Sequence, residues 1–235
     1  MKKRLNIFYW LRKLFVSNLF QKFFHKKKFL RKIIFYTIYK SNHWNRYAEL
    51  DKNNLLVSGP GSVPGIPSTI NLVKNLKNFI RDNNIKSILD IPCGDFAWFK
   101  DLVINQNINY IGWDIVKDII EYNNKKYKSK NINFLLKDIL LESDFDNHDL
   151  IFSRDFFIHI RINEIKKILD NIKKSNSKFF ACSNNYDVKS NNDILIGQHR
   201  KVNLFMEPFN LKSPYLSFYE GTEDCYIDIF KVSDL

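Results

Sequence analysis

No aspartate or glutamate occurs in the first 40 residues, which nonetheless carry 12 of the chain's 37 lysines and arginines. The remaining 195 residues hold 25 basic and 25 acidic side chains, so the body is electrically balanced and the amino-terminal segment accounts for the whole formal charge of +12. Cysteine is sparse: Cys93, Cys182 and Cys225 are odd in number and widely spaced, which excludes a disulfide framework and offers no zinc-ligand spacing. A reducing, cytoplasmic setting and no metal are therefore expected. Long apolar runs are missing too. The longest uncharged stretch of the first 40 residues is the eight from Leu14 to Gln21, against about 20 for a membrane-spanning helix. The apolar stretch after Met1 is cut by Arg12-Lys13 and lacks a small-residue cleavage site, so a secretory signal is not expected. Glycine and proline number only seven and six, yet three of each fall between Val57 and Pro67. A cluster of that kind is a shaped loop. It serves either as a linker or as a flap over a ligand crevice, with Gly59, Gly61 and Ser62 offering donors.

What is present is 45% apolar and 15% aromatic, enough for a substantial core and far from a disordered composition. The organising stretch is Ser87 to Trp98, SILDIPCGDFAW: an apolar run that stops at Asp90 and breaks on Pro92-Cys93-Gly94-Asp95. A buried strand ending in a glycine-containing turn presents backbone N–H groups at the carboxyl edge of a sheet. Two more apolar runs close on carboxylates, so that Asp90, Asp114 and Asp138 recur every 24 residues, the length of one strand–helix–strand period. A fourth run ends in Ser153-Arg154-Asp155 and a fifth in Ser183-Asn184-Asn185. Successive strand ends converge on one crevice in such an α/β sheet.

The residue types at those ends suit a nucleotide. A carboxylate closing the second strand, Asp114, matches a ribose diol with its two oxygens. Asp138 is placed to accept from an adenine amine, with Ile115 and Ile139 as apolar walls for the purine. A nicotinamide dinucleotide fold would need G-x-G-x-x-G after the first strand, whereas Asp90 to Phe96 has one glycine and carboxylates at Asp90 and Asp95. Those carboxylates repel a pyrophosphate and suit a cationic amine, such as the methionine end of S-adenosylmethionine.

The runs LDIPCGDFAW, YIGWDIV, INFLLKDIL and DLIFSRDFFIHI resemble the class I S-adenosylmethionine-dependent methyltransferases, in particular a bacterial-type subgroup with Leu-Asp-x-Pro-Cys-Gly-Asp-Phe and an upstream Ser-Gly-x-Gly-Ser loop. The resemblance covers about residues 55 to 235. It implies an α/β, Rossmann-like fold with a seven-stranded, mostly parallel sheet whose last strand is antiparallel. It also implies S-adenosylmethionine as cofactor, with Asp90 and the Cys93-Gly94 backbone at the methionine end, Asp114 on the ribose, and Asp138 with Ile139 at the adenine. The expected cofactor residues are thus Asp90, Pro92, Cys93, Gly94, Asp95, Asp114, Ile115, Asp138, Ile139, Ser153 and Arg154. Pro92 and Phe96 depart from the class, which usually has glycines there. The ten residues from Ile139 to His148 are too few for a full crossover helix, and the class is similar at that link.

Methyl transfer to a hydroxyl or amine needs a route for the acceptor's proton. Asp155 and His159, four apart, are the candidates, sharing a face if a helix begins near Asp155. The Asn-Pro-Pro-Tyr signature of nucleobase amino-methyltransferases is missing; Ser-Arg-Asp-Phe stands in its place. The irregular, polar stretch from Asn185 to Tyr215 reads as a substrate loop, with His199, Arg200 and Asn203 as acceptor contacts.

Residues 1–56 are expected to form a basic, aromatic-rich helical arm, and residues 57–235 the methyltransferase domain. In the arm, Leu5, Phe8, Leu11, Phe15, Leu19 and Phe23 fall at helical spacing. Residues 1–40 would pack on the body or a second subunit, lie on an anionic membrane, or, less in keeping with the pattern, track nucleic acid. The activity expected is O-methylation of a small-molecule or saccharide-type acceptor, including membrane-proximal glycans or lipid-linked intermediates. The competing class is a catalytically idle cofactor-fold module scaffolding at a membrane.

Overall fold

The computed structural model describes residues 7–24, 29–44, 58–104, 106–143, 145, 147–221 and 224–235. Five parallel strands, β1 (Ser87–Asp90), β2 (Asn109–Asp114), β3 (Ile132–Leu136), β4 (Leu150–Ser153) and β5 (Phe179–Asn185), are joined at one edge by the hairpin of β6 (Leu216–Tyr219) and β7 (Cys225–Lys231). The order is β3-β2-β1-β4-β5-β7-β6, with β7 antiparallel to both of its neighbours. This is the expected seven-stranded, mostly parallel sheet with an antiparallel last strand. Ile88-Leu89 of β1 and Leu150-Ile151-Phe152 of β4 are apolar without alternation because these strands lie centrally and both faces are covered. Leu89 and Ile151 enter one core layer, while Ile88, Leu150 and Phe152 enter the other.

The second layer is closed by α4 (Pro67–Asp82) and α5 (Lys100–Val103). No side chain caps α4. Pro67 starts the helix, where its missing N–H costs nothing, and the Thr69 hydroxyl instead donates to the carbonyls of Val63 and Ile66. The buried stripe is Leu72, Leu76 and Phe79, while Ile70 is exposed. α6 (Lys117–Tyr127) links β2 to β3, and no helix is formed by the described residues between β3 and β4.

The first layer contains α7 (Ile162–Lys174), whose Ile165, Ile168, Leu169 and Ile172 form its buried face. It also contains α3 (Phe29–Lys40), through Leu30, Ile34, Phe35 and Ile38. Residues 29–40 of the expected arm thus pack on the body, one of the placements open to it, and supply part of its core. The single amphipathic helix expected before them is broken in two, α1 (Ile7–Phe15) and α2 (Asn18–Phe24). Ser17 caps the second: its Oγ accepts from the Phe20 N–H and donates to the Leu14 carbonyl. α2 is pinned by Gln21, fully buried, which exchanges hydrogen bonds with the backbone of Ile196 and accepts from Arg161. The boundary expected at residues 56 and 57 lies outside the described residues. No described helix is long and apolar enough to cross a membrane.

Candidate active site

The turn after β1 is sewn to both neighbouring strands: the Ile91 N–H donates to the Phe152 carbonyl and the Cys93 N–H to the Trp113 carbonyl, each at 2.8 Å. Gly94 then takes φ 53°, and a Cβ on it would meet the Ser58 Oγ at 2.3 Å. Only glycine fits so close an approach in that left-handed conformation. Phe96, standing where the class usually has glycine, adopts φ 58°. Its strain is offset by burial among Phe99, Tyr110, Tyr127 and Phe134. Ser58 and Asp95 clasp each other, the Ser58 N–H donating to Asp95 Oδ2 and the Asp95 N–H to Ser58 Oγ, both at 2.8 Å. The Gly/Pro-rich loop therefore folds over the crevice, and Ser58 to Ser62 line it.

Three carboxylates surround this turn, all nearly inaccessible to solvent. Burial pushes Asp90 up to about 8; the hydroxyl of Tyr110, donating at 2.7 Å, opposes the rise and nearby Asp114 adds to it. Asp114 accepts from the N–H groups of Val116 at 2.9 Å and Gly94 at 3.2 Å, yet burial still raises it to about 6. Asp95 is likewise raised to about 6 by burial, against the N–H groups of Ala97 and Ser58. No lysine or arginine is hydrogen-bonded to any of the three among the described residues. A cluster of this kind favours ligand groups that are cationic or donate hydrogen bonds.

Asp138 lines the same crevice, but its carboxylate is engaged differently from the expectation. Arg31 of α3 donates three hydrogen bonds to it, and the Leu140 N–H a fourth. A carboxylate has about four acceptor positions, so little capacity is left for an adenine amine. Ile115 and Ile139 line the crevice as expected. Ser153 does not: it is buried at the end of β4, and its hydroxyl has no partner.

At the other end, Arg154 is enclosed by Glu220, to which both its Nε and Nη2 donate, and by the Gly61 carbonyl. Its role is to tie β4, the flap loop and β6's end together; Asp155 Oδ2 lies 3.5 Å from it. Asp155, Glu220 and Cys225 come within 4.8 Å of one another, and the Arg154 cation already lies against both carboxylates. Asp155 takes φ 53°, with its N–H donating to Ser183 Oγ and the Ser183 hydroxyl donating back to Oδ1. No α-helix begins there. A single 3-10 turn, Phe157–His159, intervenes, so Asp155 and His159 both line the crevice without sharing a helix face.

His159 stacks on Trp44 with centroids 5.1 Å apart and packs beside His199. Burial pulls it down to about 4, with the neighbouring His199 adding to the fall. The Gln198 carbonyl accepts from Nδ1 at 2.9 Å, an assignment that leaves Nε2 unprotonated. His199 lines the crevice; Arg200 and Asn203 do not. Arg200 donates to the carbonyls of Phe157, Ile160 and Asn192, and Asn203 to that of Val188. Both hold the irregular loop in shape and stand outside the crevice in which acceptor contacts were expected of them.

Sequence reading missed the roof. Arg12, Arg31, Phe35, Tyr39 and Trp44 line a crevice of about 1190 Å³ that also reaches Glu220 and Cys225. The signal was the apolar spacing of α3, which marks a buried helix but not what it covers. The volume exceeds the roughly 300–1,000 Å³ common for one small ligand, leaving room for two side by side.

No protein-family model matches the sequence. No curated protein matches it either. Solved structures do share its fold. TehB from Haemophilus influenzae aligns with a TM-score of 0.52 at 16% identity over 67% of this chain, which spans 61% of that protein's length. The N-methyltransferase NodS from Bradyrhizobium japonicum WM9 aligns with 0.53 at 14% identity, covering 72% of this chain and 98% of NodS. Magnesium protoporphyrin IX methyltransferase (ChlM) from Synechocystis PCC 6803, solved with bound SAH, aligns with 0.51 at 12% identity, covering 69% and 81%. The chain has the Rossmann-like fold of class I methyltransferases.

Proposed function

We propose that this chain is an S-adenosylmethionine-dependent methyltransferase that methylates an oxygen of a small-molecule or saccharide-type acceptor. The observation that carries it is the set of three buried carboxylates, Asp90, Asp95 and Asp114, gathered around the Gly94 turn and bonded to no basic side chain of the described residues. Asp90 would hold the cofactor's amine. Asp114, whose two oxygens each still have an acceptor position beyond the Gly94 and Val116 bonds, would take the ribose diol. Ile115 and Ile139 would flank the adenine. The expectation that Asp138 reads the amine is given up, since Arg31 occupies it. SAH in ChlM supports this reading of a shared fold.

When bound, the cofactor supplies an electrophilic methyl on a sulfonium: the acceptor oxygen forms the new bond, and the breaking carbon–sulfur pair returns to sulfur. The chain's part is to orient the acceptor and take its proton. His159, neutral at pH 7 with Nε2 unprotonated, and the Asp155 carboxylate stand on the acceptor side. Arg12, Val16 and the α3 side chains Arg31, Phe35 and Tyr39, roofing the crevice, exclude water from it. NodS acts, by its name, on nitrogen; oxygen is favoured here by the missing Asn-Pro-Pro-Tyr signature and by a carboxylate–histidine pair able to receive a hydroxyl proton.

Titration calorimetry tests the cofactor: S-adenosylmethionine and S-adenosylhomocysteine should bind, and NAD should not. Release of S-adenosylhomocysteine over an acceptor panel tests the reaction. Binding without turnover on any hydroxyl acceptor would favour the idle scaffold.

A further inference from the structure

α1 and α2 have two working sides. Inward, Phe8 packs on Tyr36, Arg12 and Val16 enter the crevice wall, and Gln21 is locked into the body. Outward, Ile7, Trp10 and Leu14 follow i, i+3, i+7 spacing along α1, and Leu19 and Phe23 lie one turn apart on α2. At 3.6 residues per turn, Leu19 and Phe23 each stand about 160° from Gln21, on the side facing away from the body. All five are 51–73% exposed. Large apolar side chains left in water on consecutive helices need an occupant. Charge selects among the candidates. Residues 1–40 carry 12 basic and no acidic side chains, so a second copy docking here would set two strongly cationic segments against each other. An anionic surface complements them, and neither helix has the length to span a bilayer. Lys13, exposed, sits over the rings of Tyr9 and Trp10, the pairing of aromatic and cation found at headgroup depth.

We propose that the face formed by Ile7, Trp10, Leu14, Leu19 and Phe23 docks on an anionic lipid bilayer, lying in its interface. The inward side of the same helix walls the crevice, so a docked protein holds the crevice beside the headgroups, where an acceptor carried on a lipid reaches it. Docking itself does not rest on the methyl-transfer reading.

The full chain is tested on vesicles of phosphatidylcholine, with and without phosphatidylglycerol. Phosphatidylglycerol should strengthen partitioning by about tenfold or more, and salt should weaken it only in part, because the apolar contribution is unscreened. Bromine-labelled lipids should quench tryptophan fluorescence, and Trp10→Phe should remove most of that quenching, since Trp98 and Trp113 are buried and Trp44 is half-buried between Tyr39 and His159. Leu19→Ser with Phe23→Ser should lower partitioning about tenfold at unchanged circular dichroism. If that variant fails to fold, Lys13→Glu serves: weakened anionic binding supports docking and unchanged binding overturns it. Equal partitioning to both vesicle types, absent quenching, or a dimer that the serine variant dissociates would also overturn it. Calorimetry with S-adenosylhomocysteine on the same samples scores the cofactor reading separately.

Discussion

Arg31 grips Asp138 across 107 residues of sequence: Nε donates to both carboxylate oxygens at 3.1 Å and Nη2 to Oδ2 at 2.8 Å, while Nη1 reaches Glu164 at 3.3 Å. The pair fastens the roof helix α3 to the link after β3 and to α7. Both side chains are mostly buried, so Arg31→Ala and Asp138→Ala should each lower stability by about 1.5–3 kcal/mol. A thermodynamic cycle should show the double variant less destabilised than the sum. Additive losses would mean that the contact fastens nothing.

Asp114→Ala should weaken S-adenosylhomocysteine binding by about 1.5–3 kcal/mol through loss of charge-assisted bonds to the ribose. An affinity unchanged in calorimetry would take Asp114 out of the site.

Asp90, raised to about 8, is protonated in the native state and ionised in the unfolded chain across neutral pH. Stability from this group is therefore lost as pH rises, at about 1.4 kcal/mol per unit, or about 2 kcal/mol between about pH 6.5 and 8. That window avoids His159, whose lowered pKa makes stability rise with pH only below about 6.5. Chemical denaturation of the ligand-free protein should show the slope, and Asp90→Asn should flatten it. Binding a cationic amine should release up to about one proton at pH 7, read from calorimetry in buffers of different ionisation heat.

His159→Ala and Asp155→Ala should lower turnover by about 10²–10⁴ while leaving cofactor affinity nearly unchanged. With His159 at about 4, the His159-dependent part of turnover should stay flat above about pH 5 and fall below it. Wild-type turnover in both variants would move the proton route to His199.

Gly94→Ala should be poorly tolerated, because its Cβ meets Ser58 Oγ and its φ is positive. Ser58→Ala should partly rescue it by removing the closest contact, though Ser58 Cβ stays 3.0 Å from the added methyl and backbone strain of about 1 kcal/mol or more remains. Full rescue would mean that contact alone, and not conformation, requires glycine.

The strand ends were legible because their signals are local. An apolar run bounded by Asp90, Asp114 or Ser153 carries its own period and its own stop, and a parallel sheet brings such stops to one edge whatever else the chain does. The same holds for the Gly59–Gly65 loop, where conformational need is written as residue type, and for the 24-residue repeat. Where the reading went astray, partners distant in sequence decided. Asp138 has the right place for an adenine amine, but Arg31 takes up its acceptors. Arg200 and Asn203 look like acceptor contacts, but Arg200 ties the loop to the carbonyls of Phe157 and Ile160, and Asn203 serves that of Val188 within the loop. The apolar positions of residues 7–40 announce helices without saying which face is covered; only the packing of Ile34 and Ile38 beside Gly197 in the core, and of Gln21 against Ile196, turns one side inward and leaves Leu19 and Phe23 outward. Periodicity is a property of a segment, whereas the pairing of charges and the choice between two apolar faces depend on the three-dimensional proximity of segments far apart in the chain.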